Sequence, residues 1–319
     1  MSMGESHLRL GVSAHRNPRT PSQMARQRKR IHHILSPGKW SATRQRLVPQ
    51  CSSVMPLPPQ RSRDTFDEVA DSYDSARPQY PERLVEDLLA HVAMGANSRV
   101  LEIGCGPGLF TVPLARSGAQ VLALEVGRRL AAVASQRLQP WSNASVQLVD
   151  FDLWSPPREL FDVVVVATAF HWLDPTQRVQ KCYAALKPEG VLAIVDTHWG
   201  VGHQIAEFSR AIQPCYAMHD PNHQPGFVPQ TVRDLPSEHR ELLDSRLFRA
   251  VHLKRYTVSR HYSADQFCSL LNTYSDVRAF PPDARAEFLG CVRRLIVSGY
   301  AGAIERSDSY SLWLGHRLP

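Results

Sequence analysis

The run Val100-Leu101-Glu102-Ile103-Gly104-Cys105-Gly106-Pro107-Gly108 constrains this chain more than any other stretch. A short apolar strand carrying one acid breaks into glycines at three alternate positions. A second apolar run, Val121 to Leu124, ends in another acid, Glu125. Glycine admits positive φ and lets a ligand approach the main chain. Strand, glycine loop and helix in succession place the loop at the carboxyl edge of a parallel sheet, where open α/β sheets take their ligands. The spacing departs from the dinucleotide pattern G-x-G-x-x-G, whose third glycine would fall on Leu109. It is not a P-loop either. Glu102, just ahead of the loop, would repel a pyrophosphate and could hold a cation.

Glu102 to Gly108 resembles motif I of class I S-adenosylmethionine-dependent methyltransferases, a cofactor with no phosphate that carries an ammonium and a sulfonium. The resemblance implies that Glu102, Gly104, Gly106 and Gly108 hold the methionine end and that Glu125 binds both ribose hydroxyls, with Val126 beside it. It also implies that an acid after the third strand approaches the adenine amino group. Val146 to Asp152 matches that segment, with Asp150 the nearer candidate, Asp152 its rival, and Phe151 and Ala167 lining the cofactor. Upstream, Phe66 to Pro81 resembles a lid segment found before motif I in small-molecule methyltransferases, in which Tyr73 and Arg77 would face the methionine moiety or the substrate. The same segment could instead use Tyr73 and Tyr80 simply to staple the lid down. Tyr262 to Phe267 and Thr273 to Arg278 resemble the subgroup near trans-aconitate methyltransferase. The resemblance spans about residues 64–316.

The hydrophobic patterning agrees with that class. Expected strands at 99–103, 120–125, 146–149, 161–167 and 191–196 alternate with helices at about 108–117, 127–138 and 175–186. The unbroken Val163-Val164-Val165-Val166 suits a strand buried on both faces. Two further strands, 248–258 and 310–314, and helices at 264–273 and 282–298 complete the chain. The expectation is an α/β, Rossmann-like, seven-stranded, mostly parallel sheet with helices on both faces, an N-terminal lid and an insertion (199–246) between strands 5 and 6. A turn, Lys187 to Gly190, is expected before the fifth strand. The domain expectation is a basic tail over 1–62 and a methyltransferase domain over 63–319.

Charge is distributed unevenly. Residues 1–63 carry twelve Lys and Arg against Glu5 alone, and the remainder carries 25 basic against 29 acidic residues, so the net +7 belongs to the tail. A basic patch on the domain, the usual footprint of nucleic-acid binding, is not indicated. The Arg-, Pro- and Ser-rich tail reads as disordered. It could be a docking arm through Arg26 to Arg30, an organellar import segment, or sequence upstream of a true start at Met55. The six cysteines are scattered without a C-x-x-C pair, which argues against a zinc ribbon or a disulfide framework and fits a reducing, cytoplasmic setting. Cys105 reads as a small loop residue, not a nucleophile.

The fourth strand ends in Ala167-Thr168-Ala169-Phe170-His171-Trp172-Leu173-Asp174, at the edge that would face the transferred methyl. Neither the acid-Pro-Pro-aromatic signature of amino-group methylation nor a Pro-Cys of cytosine methylation stands there, and Pro214-Cys215 lies in the insertion. His171 is the candidate base, because imidazole titrates near neutrality. Phe170 and Trp172 would line the acceptor, and Arg260 and Arg278, with Arg77, could clamp a carboxylate acceptor. A carboxylate, already ionised at neutral pH, needs no base. His198, His203, His219 and His223 with Asp196 and Asp220 match no familiar metal spacing, and no metal is expected. The leading expectation is methyl transfer to a small molecule, at a carboxylate or hydroxyl oxygen. The alternatives are an RNA- or protein-directed factor docking through the tail and a cofactor-binding module without turnover.

Overall fold

The computed structural model describes residues 76–319 except 158–159 and 221–222, and the side chains of His203 and Gln204 are likewise outside it. The tail, Met55, the run Arg26 to Arg30, and the lid from Phe66 through Tyr73 lie outside the described residues.

Among the described residues, seven strands form one sheet in the order β3-β2-β1-β4-β5-β7-β6. These are β1 Arg99–Ile103, β2 Gln120–Glu125, β3 Ala144–Leu148, β4 Phe161–Ala167, β5 Leu186–His198, β6 Phe248–Ser263 and β7 Ala303–Arg317. The first five run parallel, and β7 is antiparallel to both β5 and β6. The valines of β4 explain its central place. Val163 and Val165 join one core with Leu84, Leu88 and Phe110, while Val164 and Val166 join the other with Phe151, Leu186 and Trp313. Each valine so buried contributes about 1.5–3 kcal/mol relative to exposure.

Three helices, α1 Glu82–His91, α2 Thr111–Arg116 and α3 Arg128–Arg137, belong to the half that carries the glycine loop, and α4 Arg178–Ala185 precedes β5. The expected turn Lys187 to Gly190 is not separate from the fifth strand. It lies inside β5 as an irregularity, where pairing jumps from Phe161↔Leu186 to Val163↔Val191 and Glu189 takes φ 65°.

β6 and β7 run past the end of β5, whose last pair is His198↔Ser309, so this antiparallel pair projects beyond the sheet's carboxyl edge. There it carries a separate apolar core. Helices α5 His203–Ala211 and α6 Gln213–His219 pack with α8 Ala264–Leu271, α9 Ser275–Arg278 and α10 Pro282–Gly299, through Ile205, Phe208, Phe267, Phe288 and Val292. The insertion therefore shares a core with the helices after β6. A short helix α7 Arg240–Ser245 precedes β6. Against the expectation of unpaired cysteines, Cys215 on α6 is bonded to Cys291 on α10 across 76 residues, whereas Cys105, Cys182 and Cys268 are free thiols. Tertiary packing made this pair, so sequence spacing held no trace of it.

Candidate functional site

The loop after β1 is built from its glycines outward. Gly104, Gly106 and Gly108 take φ 69°, 55° and 84°. A Cβ on Gly104 would meet the Ala169 Cβ at 2.7 Å, so only hydrogen fits between the loop and the end of β4. The amides of Gly104 and Cys105 both donate to the Leu124 carbonyl, at 2.9 and 3.1 Å. Glu125 ties the loop from the other side, its Oε2 accepting from the Gly106 amide at 2.8 Å and its Oε1 from the Gly127 amide at 2.7 Å. Gly108 serves differently. It turns away to pack on Ala134 of α3 and does not line the cleft.

That cleft is lined by Glu102, Gly104, Gly106, Glu125, Val126, Asp150, Phe151, Ala167, Thr168, Trp172 and Tyr80, among others. Three of its lining residues are acidic and none is Lys, Arg or His. Such a lining opposes a polyphosphate and favours a cationic nucleoside with free hydroxyls. Glu102 is fully buried and its Oε2 has no hydrogen-bond partner. Burial, reinforced by the charge of Glu125, pushes its carboxyl up to about 8. A buried carboxyl with one oxygen unpartnered beside a glycine cradle suits an ammonium or sulfonium, whose charge would favour its ionised form and supply the missing partner. Asp150 and Asp152 separate cleanly. Asp150 lines the cleft, while Asp152 accepts from the Asp174 amide at 3.2 Å. The Cys105 thiol is buried and pushed well above its ordinary value by that burial, which suits packing and not attack.

Tyr80 does more than staple a segment down. Its ring meets Phe110 edge-on at 4.9 Å and its hydroxyl is 3.0 Å from Thr168 Oγ1, itself 2.7 Å from Thr197 Oγ1. Thr168 holds φ 57°, a region that β-branched residues avoid, and these two hydroxyl contacts with its amide bond to Val195 keep it there. No sequence signal singles out Thr168 or Thr197, because their roles arise from where β4 and β5 end.

Two of the arginines expected to face a ligand are committed to the protein. Arg77 donates to Thr273 Oγ1 and the Thr273 carbonyl at 2.9 and 3.0 Å, and its guanidinium lies over Tyr274 and Trp199. Arg260 donates to the Gln79 carbonyl at 2.9 Å and pairs with the buried Asp308 at 3.6 Å. Both fasten the segment around Tyr80 to the projecting strand pair and its helices. Arg278 sits at the end of α9, its carbonyl accepting from Arg285.

Phe170, His171 and Trp172 form a single 3-10 turn after β4. Phe170 is buried and Trp172 lines the cleft. His171 has much of its own surface open to solvent, yet protein crowds it enough to hold its pKa below the ordinary imidazole value. His171 itself is not among the residues that line the cofactor cleft. Asp196 acts on His171 in the opposite direction. Among the described residues no group of three or more His, Cys, Asp or Glu could hold a metal ion, and no helix is long and apolar enough to cross a membrane.

Comparison with known proteins accords with this geometry. The family described as a methyltransferase domain matches residues 101–194, the stretch from β1 to the end region of β5. Residues 101–194 carry a methyltransferase domain, and the chain is similar there to S-adenosylmethionine-dependent methyltransferases. It is 35% identical to a trans-aconitate 2-methyltransferase of Variovorax paradoxus over 115 residues, 35% of this chain and 43% of that protein. The chain thus spans less than half of that curated relative. An uncharacterized methyltransferase of Schizosaccharomyces pombe is 22% identical over 228 residues, 68% of this chain and 81% of its own. Among solved structures, the 4+2 cyclase SpnF superposes with a TM-score of 0.50 at 15% identity, covering 82% of this chain and 98% of the cyclase. That likeness concerns the methyltransferase fold alone, and a fold does not name its reaction.

Proposed function

We propose that the protein transfers the methyl group of S-adenosylmethionine to an oxygen of a small-molecule acceptor. The observation that carries the reading is the composition of the cleft, three acidic residues and no Lys, Arg or His around a glycine cradle beside a buried carboxyl with one oxygen unpartnered. Glu102 would hold the cationic methionine end, and the amides of the loop would approach it closely. Glu125 would accept from the ribose hydroxyls, since a carboxylate oxygen can accept twice while the loop amides use it once. Asp150 would meet the adenine amino group, between Val126 and Phe151. When bound, the cofactor supplies an electrophilic methyl carbon on a positively charged sulfur.

The chain's own part is alignment and exclusion of water. Thr168, Ala169 and Trp172 bound the cleft at the end of β4, and Tyr80 bounds it from the α1 side. The relative named for trans-aconitate supports a small acidic or polar acceptor, and the acidic balance of residues 64–319 supports a partner other than nucleic acid. The test is transfer of labelled methyl to a panel of phenols, enols and carboxylic acids by the full chain. Labelled, base-stable ether or base-labile ester product supports the reading. Label found only on protein or RNA, or no label despite tight cofactor binding, contradicts it.

A further inference from the structure

A second polar site adjoins the cofactor cleft, on the opposite face of β5 from Thr197. β5 ends in Asp196-Thr197-His198, and Asp196 shares its face with Ile194 and Trp313. Trp313 Nε1 donates to Asp196 Oδ2 at 2.8 Å. His198 Nε2 lies 3.2 Å from Ser311 Oγ. His239, which no sequence signal singles out, caps α7 and accepts the Leu242 amide on Nδ1 at 3.4 Å, leaving Nε2 as its other ring nitrogen. Its ring packs edge-on against Phe170 at 5.5 Å and Trp313 at 5.6 Å. Phe170 opens the turn that carries His171.

This arrangement is clamped. Arg178 on α4 grips both oxygens of Glu241 on α7, donates to the Phe170 carbonyl at 2.8 Å and lies 4.3 Å over the Phe170 ring. One guanidinium therefore fixes α7, and with it His239, against the turn bearing His171. The charge of Asp196 reaches His171, His198 and His239 alike, while burial favours their neutral forms. Arg178 and Arg255 are the cations bearing on these groups, and both are spoken for. Arg255 donates to the carbonyls of Val232 and Pro236 and to Ser311. The ring nitrogens of His171 have no hydrogen-bond partner among the described residues.

We infer that the polar cluster of His171, His198 and His239 with Asp196, beside the turn that carries Trp172 into the cofactor cleft, is the acceptor site, and that it takes a protic hydroxyl, phenolic or enolic, which His171 deprotonates. The inference rests on the methyl-transfer reading and decides between its two oxygen acceptors. A carboxylate acceptor needs cations and no base. Here Arg77, Arg260, Arg178 and Arg255 are all engaged with the protein, and the centre of the site is a carboxylate, which repels another. A hydroxyl acceptor needs a base and an anion to steady the imidazolium, which is what His171 and Asp196 supply.

The step balances without further reactants. The O–H bond breaks and its proton passes to a ring nitrogen of His171. An oxygen lone pair forms the new C–O bond as the C–S bond breaks with its electrons left on sulfur, which becomes a neutral thioether. The imidazolium, whose charge Asp196 favours, releases its proton to solvent. Asp196 acts through His171 and is a positioning residue.

The test uses full-length protein saturated with S-adenosylhomocysteine, which has no methyl to give, and 4-nitrophenol or 4-nitrocatechol as coloured ligands, below the pKa of each. Binding is expected to bring out the phenolate absorption band. His171→Gln is expected to abolish the band while calorimetric affinity for S-adenosylhomocysteine stays unchanged, and to lower turnover roughly 100-fold. Asp196→Asn is expected to move the pH at which the band appears upward. The inference is overturned if the phenols bind only in the neutral form, if the band survives His171→Gln, or if benzoate binds and neither phenol does. Failure of S-adenosylhomocysteine itself to bind would instead sink the methyl-transfer reading.

Discussion

The amide of Gly106 donates to Oε2 of Glu125 at 2.8 Å, so the acid that ends β2 also sets the shape of the loop that ends β1. One carboxylate thereby serves two purposes, since its second oxygen holds the amide of Gly127 at the start of α3. Glu125→Ala strands two backbone donors and removes the group that would meet the ribose. A hydrogen bond to a charged group is worth about 1.5–3 kcal/mol. The expected result is a 10- to 100-fold loss of S-adenosylmethionine affinity by calorimetry, together with a lower melting temperature. Unchanged affinity would show that Glu125 is purely structural.

Gly104 gives a sharper steric test. Alanine there must adopt φ near 69° and push its Cβ to 2.7 Å from that of Ala169. Strain of this kind costs about 1–3 kcal/mol, and here it falls where the loop meets the β4 end. Gly104→Ala is expected to fold with reduced thermal stability and to lose most cofactor binding. Gly106→Ala, whose added Cβ meets nothing within 4 Å, is expected to suffer less from crowding and mainly from its φ of 55°.

The carboxyl of Glu102 predicts a pH dependence with a definite sign. Its folded value, about 8, lies above the 4.5 of an ordinary glutamate. The folded protein therefore holds a proton that the unfolded chain has released between those values. Stability from this group is fully present below pH 4.5 and is lost as pH rises through 8, at about 1.4 kcal/mol per unit in between. Glu102→Gln is expected to flatten that slope in melting curves of the cofactor-free protein from pH 5 to 9. It is also expected to abolish the proton release that accompanies binding of a cationic ligand, read by calorimetry in buffers of different ionisation heat. An unchanged slope would mean that Glu102 is ionised throughout.

Much of this site was legible because its determinants are local. A glycine loop needs positive φ at particular positions, and a strand buried on both faces must be apolar throughout, so Gly104 to Gly108 and Val163 to Val166 announce themselves. The last strand did not. β7 begins at Ala303, well ahead of the apolar run from Tyr310, because its first half buries Arg306, Ser307, Asp308 and Ser309, residues whose type argues for a surface. Asp308 accepts from Arg306 at 2.7 Å and from the Gly200 amide at 2.9 Å, contacts that only the fold supplies. The same holds for Arg77 and Arg260. Their charge suggested ligands, but neighbours distant in sequence claimed them first.

The bond between Cys215 and Cys291 is the feature least visible in sequence and is open to direct test. Closing a loop of 76 residues removes chain entropy worth about 4 kcal/mol in the unfolded state. Reduction, or Cys215→Ala with Cys291→Ala, is expected to lower the melting temperature of the helical region over the sheet's carboxyl edge and to weaken acceptor binding more than cofactor binding. Equal effects on both ligands would show that the bond steadies the whole domain.

The acidic, glycine-cradled cleft is the S-adenosylmethionine site. Calorimetric titration of the full chain with S-adenosylmethionine, and separately with NAD, tests it most directly. Micromolar or tighter binding of the former, lost in Gly104→Ala, and none of the latter is the expected result. Binding of NAD, or no binding of S-adenosylmethionine to folded protein, would contradict it.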